Sequence, residues 1–185
     1  MHQTIKTVFR YCFALVILLI TAALVLTCAT KTYEFFTADQ YLKSQSSKKF
    51  ESSEKEQFVL VSNNQKPDNS LYVVIANNGY LVKLNCDHYK SDLCVDEYNK
   101  THTRLISDIT MTKIGNYNYI SNVNFKDSRT QKTSNYSYSA QSIEQFYKAD
   151  ISNLKFTILG IALFAFAALF VSFRIMKNFK KFVSK

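Results

Sequence analysis

Cys86 and Cys94 stand eight residues apart, with His88 between them and His102 shortly after. Two chemistries compete for these residues. A four-ligand metal site from Cys86, His88, Cys94 and His102 has the nitrogen and sulfur ligands that zinc takes, but the spacing matches no familiar finger. In an oxidising compartment the same cysteines pair. A Cys86–Cys94 disulfide closes the short loop DHYKSDL and contributes about 2–3 kcal/mol in the chain-entropy account. The disulfide is the expectation. Around it lie Asp87, Asp92, Asp96 and Glu97, which suggest Ca²⁺ binding or paired carboxylates. Lys90 interrupts the group and the turn glycine of a calcium loop is missing, so a solvated loop is expected. His88 or His102 is a candidate base for a nearby serine or carboxylate. No Walker loop, dinucleotide fingerprint, nucleophile elbow or metalloprotease motif occurs. The expectation is therefore no catalytic, metal or cofactor-binding residue, and no cofactor.

The compartment follows from charge. All fourteen acidic residues lie between the apolar stretches Tyr11–Ala29 and Phe156–Phe173. Outside them the flanks are basic only: Lys6 and Arg10 before, and Arg174, Lys177, Lys180, Lys181 and Lys185 after. Each stretch is long enough to cross a bilayer as a helix, and basic flanks hold an end in the cytoplasm. The expected layout is a basic lead over 1–10, a first span over 11–30, an extracytoplasmic domain over 31–153, a second span over 154–173 and a basic tail over 174–185. The membrane is a cytoplasmic one, inner or plasma. The first stretch exceeds a signal-peptide h-region, and Thr27-Cys28-Ala29 is a mediocre cleavage or lipidation site, so a retained anchor is expected. The net charge of +9 comes mostly from the tails. It suits anionic headgroups and argues against nucleic acid, which needs a concentrated basic face. The spans carry no ionisable group in their interiors, which argues against a transporter or proton pump. Gly160, Ala167, Ala168 and Ser172 form a small-residue face suited to helix packing.

The middle segment changes period along its length. Thr32–Gln45 has near-helical spacing and reads as a stalk. Ser44–Glu56 is polar and serine-rich and reads as a flexible connector. Phe58–Val61 and the runs Leu71–Ala76 and Tyr80–Leu84, around Asn78-Gly79, suggest strands, the latter two a hairpin with positive φ at both turn positions. A second pair, Leu105–Ile114 and Tyr117–Phe125, flanks Gly115-Asn116, with Tyr117, Tyr119, Val123 and Phe125 alternating against asparagines. Asn135–Ala140 suggests another strand. Ser142 and Gln145 have capping-box spacing, and Ile143, Phe146, Tyr147 and Ile151 share a helical face that runs without Gly or Pro toward the second span. Asn99-Lys100-Thr101 and Asn135-Tyr136-Ser137 are glycosylation sequons.

The expected architecture is a membrane protein with two transmembrane helices flanking one extracytoplasmic α+β domain with an antiparallel sheet. The expected role is a non-enzymatic display of a protein-binding domain. It would act as an accessory subunit of a membrane complex or as a toxin-neutralising, immunity-type protein. Its partners would be membrane lipids and another protein, and homo-oligomers are compatible with it. The expected binding surface comprises Tyr117, Tyr119, Tyr136 and Tyr138, since tyrosine supplies rigid area with a polar tip. The alternatives are an extracytoplasmic hydrolase using His88 or His102 with neighbouring carboxylates, and a two-span sensor.

Overall fold

A computed structural model of the chain describes residues 2–63, 69–76, 78–94, 102–128 and 130–179. Its element order is α1 (His2–Phe36), α2 (Ala38–Lys43), β1 (Ser46–Glu51), β2 (Phe58–Asn63), β3 (Ser70–Ile75), β4 (Gly79–Asn85), β5 (His102–Ile114), β6 (Tyr117–Asp127), β7 (Thr133–Ser137) and α3 (Ala140–Lys177). Two long apolar helices thus flank an antiparallel sheet domain. The chain divides into two compact units, Met1–Ala38 with Asp150–Lys185, and Asp39–Ala149.

In the first unit, both helices are long and apolar enough to cross a membrane. They run antiparallel. The buried hydroxyls of Thr21 and Ser172 meet at 2.8 Å, and Tyr11 and Phe179 approach edge-on at 5.4 Å. Ala14, Thr21, Ala165 and Ser172 are buried along the seam. The spacing of seven residues within each helix keeps small side chains on one face, which lets the backbones come close. Of the predicted small-residue face, Ser172 joins this seam, Gly160 and Ala168 are half-buried and Ala167 is exposed.

In the second unit, every strand pairing is antiparallel, in the order β4-β3-β2-β5-β6-β7. β1 pairs β5 as well. Both β1 and β2 lie along the long strand β5, and Ser52–Gln57 forms the interruption between them. Ser52 closes that break. Its N–H donates to the Ser107 carbonyl, its hydroxyl donates to the Ile106 carbonyl and accepts from the Phe58 N–H. Ser107 is the extra residue of a bulge on β5, so a serine satisfies polar groups that the ladder leaves free.

β1 occupies part of the segment read as a flexible connector. Its side chains are almost all exposed, so its sequence is polar and carries no alternation. Pairing with β5, not burial, makes it a strand. The turn after β3 also differs from the expected two-residue form. Ile75 pairs Gly79, the Asn78 N–H donates to the Ile75 carbonyl, and only Gly79, at φ +89°, takes positive φ among the described turn residues. This is a three-residue loop closed by a glycine, the next commonest hairpin form. The second hairpin is a two-residue one: Ile114 pairs Tyr117, and Gly115 has φ +58°. The α3 cap sits three residues before the expected one, since the Ser139 hydroxyl accepts from the Ser142 N–H. The predicted face follows, with Ile143, Tyr147 and Ile151 buried.

The core lies on one face of the sheet. Phe58 and Leu60 of β2, Leu71 and Val73 of β3, Val82 and Leu84 of β4, Ile106 and Ile109 of β5, and Val123 and Phe125 of β6 point into it. Topology dictates what covers them. β4 is an edge strand and β5 is central, so the connection between them must cross β3 and β2. Its described part carries the buried Cys86, Tyr89, Leu93 and Cys94 onto the core.

Candidate protein-binding face

The crossing loop begins with a 3-10 turn, Cys86–His88. Asn85 caps it by accepting from the Asp87 N–H. Cys86 and Cys94 are disulfide-bonded, with Cα atoms 5.7 Å apart, and both are buried. The pairing consumes two of the four ligands of the alternative metal site, and no group of potential metal ligands occurs among the described residues. Leu93 and Cys94 both donate their N–H to the Tyr89 carbonyl. Arg104, 4% exposed, donates to the Leu93 carbonyl, lies 3.9 Å from the Asp127 carboxylate and stacks over Phe125. A buried guanidinium thus joins the loop to β5 and β6, with a carboxylate to balance its charge. No sequence motif marks Arg104. Its one signal is a lone arginine between the apolar residues of β5.

The Tyr89 hydroxyl reaches across the core and accepts the Ile120 N–H at 2.9 Å. Thr110 pairs Asn122 and Met111 pairs Ile120, so Ser121 is a bulge residue. The bulge also shifts the phase of β6, and the adjacent Tyr119 and Ile120 are both buried. Tyr119 pairs with Thr112, while Val123 pairs with Ile109. The uninterrupted alternation read over Tyr117–Phe125 therefore breaks at Ser121.

This geometry buries one residue of the expected tyrosine surface and leaves Tyr117, Tyr136 and Tyr138 half-buried. Tyr119 is 2% exposed. Tyr117 stacks on it at 6.5 Å and meets Tyr147 of α3 at 5.8 Å. Tyr138 packs against Tyr89 and Phe146 and donates to Asp92 at 3.1 Å. Burial first, and then the Asp92 carboxylate, pushes the Tyr138 hydroxyl well above the usual phenol range. Tyr136 stacks on Phe125 at 5.9 Å. The first turns of α3 and the disulfide loop bury Tyr119 and partly cover Tyr117 and Tyr138, while Tyr136 lies half-buried against Phe125. His88 packs in the same aromatic cluster. It stacks on Phe146 at 4.7 Å and lies edge-on to Tyr119. Of the acidic residues near it, Asp87 is held by Lys90, Asn85 and Asn69, with Lys90 the main cause of a lowered carboxyl pKa. Asp92 is held by Tyr138. Asp96, Glu97, Asn99 and the His102 side chain lie outside the described residues.

The opposite face of the sheet has two halves. On β1, β5, β6 and β7 a polar rung crosses four strands: Glu51 pairs Asp108, Asp108 pairs Asn124 and Asn124 pairs Asn135. Asn135 donates to Asn124, which donates to Asp108. On β4, β3, β2 and the start of β5 the face is apolar. Tyr80 pairs Val74, Val74 pairs Val59 and Val59 pairs Leu105. The next rung sets Lys83 beside Tyr72 and Tyr72 beside Val61. Tyr72 and Tyr80 meet edge-on at 6.2 Å, and the Lys83 ammonium lies over the Tyr72 ring. Tyr80 is 68% and Leu105 47% exposed. These two are the only large hydrophobic residues of the second unit that are so exposed among its described residues, and one rung holds both. No family model, curated protein or solved structure matches this chain. The site must be judged on its own chemistry. A row of half-buried Val74 and Val59 between exposed Tyr80 and Leu105, with Lys126 beside Leu105 and Lys83 on the next rung, suits contact with another macromolecular surface. Among the described residues no converging set of nucleophile, base and carboxylate lies on that face.

Proposed function

We propose that this chain is a non-enzymatic, membrane-anchored protein that displays a protein-binding domain on the outer side of a cytoplasmic membrane, with both termini inside. The anchor reading rests on two apolar helices whose outward side chains, such as Phe164, Phe166 and Phe170, are about two-thirds exposed and suit lipid better than water. Orientation rests on the basic flanks. The observation that carries the binding reading is the Tyr80–Leu105 row. A contiguous exposed apolar patch marks an interaction site more often than scattered apolar residues do, and tyrosine is enriched among residues that dominate interface energy. The basic rim of Lys83 and Lys126 favours an acidic partner. The partner class is a subunit of a membrane complex or a soluble toxin.

The test is affinity isolation of the full chain in mild detergent, followed by mass spectrometry. The expected result is one stoichiometric protein partner. Tyr80→Ala with Leu105→Ala should weaken its retention by about 2 kcal/mol or more, the hot-spot scale, with the thermal midpoint unchanged because both side chains are exposed. His88→Gln with His102→Gln should leave retention intact. A histidine variant that binds its partner but loses biological activity would favour the hydrolase and overturn this reading.

A further inference from the structure

The first unit holds a groove of about 540 Å³ between α1 and α3. Cys28, Ala29, Ala162 and Ala165 form its small-residue floor, and Phe36 and Phe166 rise at its sides. The lining contains no charged residue. Along α1 it extends from Val25 to Phe36, about 16 Å of helix, which is close to the depth of one leaflet of a ~30 Å hydrocarbon core. The lining is graded. The end near Val25 and Leu169 is wholly apolar, whereas Thr32 and Tyr33 bring hydroxyls to the other end. That second end is the one nearer the sheet domain in sequence on both helices. Lys155 stands two helical turns beyond Ala162, on the same helical face. Its ammonium lies 5.1 Å over the Phe156 ring, and no carboxylate pairs with it among the described residues.

We propose that this groove is a binding site for one glycerophospholipid of the outer leaflet, with an acyl chain along the small-residue floor and the phosphate at Lys155. The inference rests on the membrane reading given above. The complementarity is of two kinds, apolar along the floor and cationic at the mouth. A groove about as long as one leaflet is deep matches a lipid chain. A partner helix would contact the spans through the whole core.

The test reconstitutes the full chain into phosphatidylcholine vesicles with one-fifth phosphatidylglycerol. Each lipid in turn carries a photoreactive group at mid-chain, and labelled peptides are mapped by mass spectrometry. Label should concentrate on Val25–Phe36 and Ala162–Leu169 over the other exposed span residues. Phosphatidylglycerol should exceed phosphatidylcholine there by about fivefold, the scale of one basic side chain at an anionic surface. Lys155→Gln should abolish that preference and keep the mapped positions. Ala162→Phe, which fills the floor, should remove the concentration of label while the rest of the spans label as before. Uniform label along both helices would leave ordinary surrounding lipid and overturn the proposal. So would a Cys28 cross-link to another protein chain in the native membrane. A chain that alkaline carbonate strips from the vesicles would instead defeat the membrane reading, so the two failures are distinguishable.

Discussion

Tyr89 shows how much of this domain depends on single polar contacts inside an apolar core. Its ring is buried among Tyr138 and Phe146, and its oxygen accepts the backbone N–H that the Ser121 bulge leaves out of the ladder. A buried donor without a partner costs about 1–3 kcal/mol. Tyr89→Phe should therefore lower stability by that amount, measured on the full chain in mild detergent by urea titration with near-ultraviolet circular dichroism. Tyr138→Phe should cost less, because Asp92 keeps some access to water and can exchange its lost donor for solvent. Equal effects of the two changes would mean that the Ile120 N–H finds another acceptor. Arg104 obeys the same rule with a full charge. Its nitrogen donors face Asp127 and the Leu93 carbonyl, so the loop and the sheet share one electrostatic joint.

The elements are held in register by two glycines that act for different reasons. Gly79 sits at φ +89° with open space around it, so a side chain there meets only backbone strain. Gly115 sits at φ +58°, and a Cβ would come within 3.1 Å of the Tyr41 ring of α2. Gly79→Ala should cost about 1–3 kcal/mol from strain alone. Gly115→Ala should cost more, because the α2 ring must also move. Thermal midpoints of the two variants in the same detergent check this order, and the reverse order would place α2 away from the β5–β6 turn. Both hairpins were legible from Asn78-Gly79 and Gly115-Asn116. β1 was not, because an exposed edge strand needs no apolar alternation. Its two lysines, Lys48 and Lys49, are the kind of residue that guards an edge against further pairing.

At the scale of the whole molecule, the charge distribution is what supports the proposed arrangement. Every acid lies between the apolar stretches Tyr11–Ala29 and Phe156–Phe173 and the outer flanks are basic, so the proposed topology has one outcome under impermeant thiol labelling. In a background with Cys12 and Cys28 replaced, a single cysteine at the exposed Asn135 should react in intact cells, while cysteines at Thr4 and Ser184 should react only after lysis. Labelling of either tail from outside would reverse the orientation. Within the helix pair, Thr21 and Ser172 meet as hydroxyls between apolar surfaces. Hydrogen bonds of this kind between spans contribute about 0.6 kcal/mol on average, so their role is to fix the register of the pair more than to hold it together.

The sequence alone determined the two apolar helices, the two glycine hairpins, the helical entry into α3 and the pairing of Cys86 with Cys94. Each rests on local information: run length, turn chemistry or count and compartment. The tertiary structure decided which faces are covered. The order β4-β3-β2-β5 sends the disulfide loop across one face, and α3 lays Phe146 beside it. Tyr119 and Tyr138 are packed there. Tyr80 and Leu105 stay open on the other face, although nothing in their local sequence distinguishes them from core residues. Alternation tells that a strand has two faces. Only the path of the chain between distant strands settles which face meets water, because that choice is made by contacts far apart in sequence.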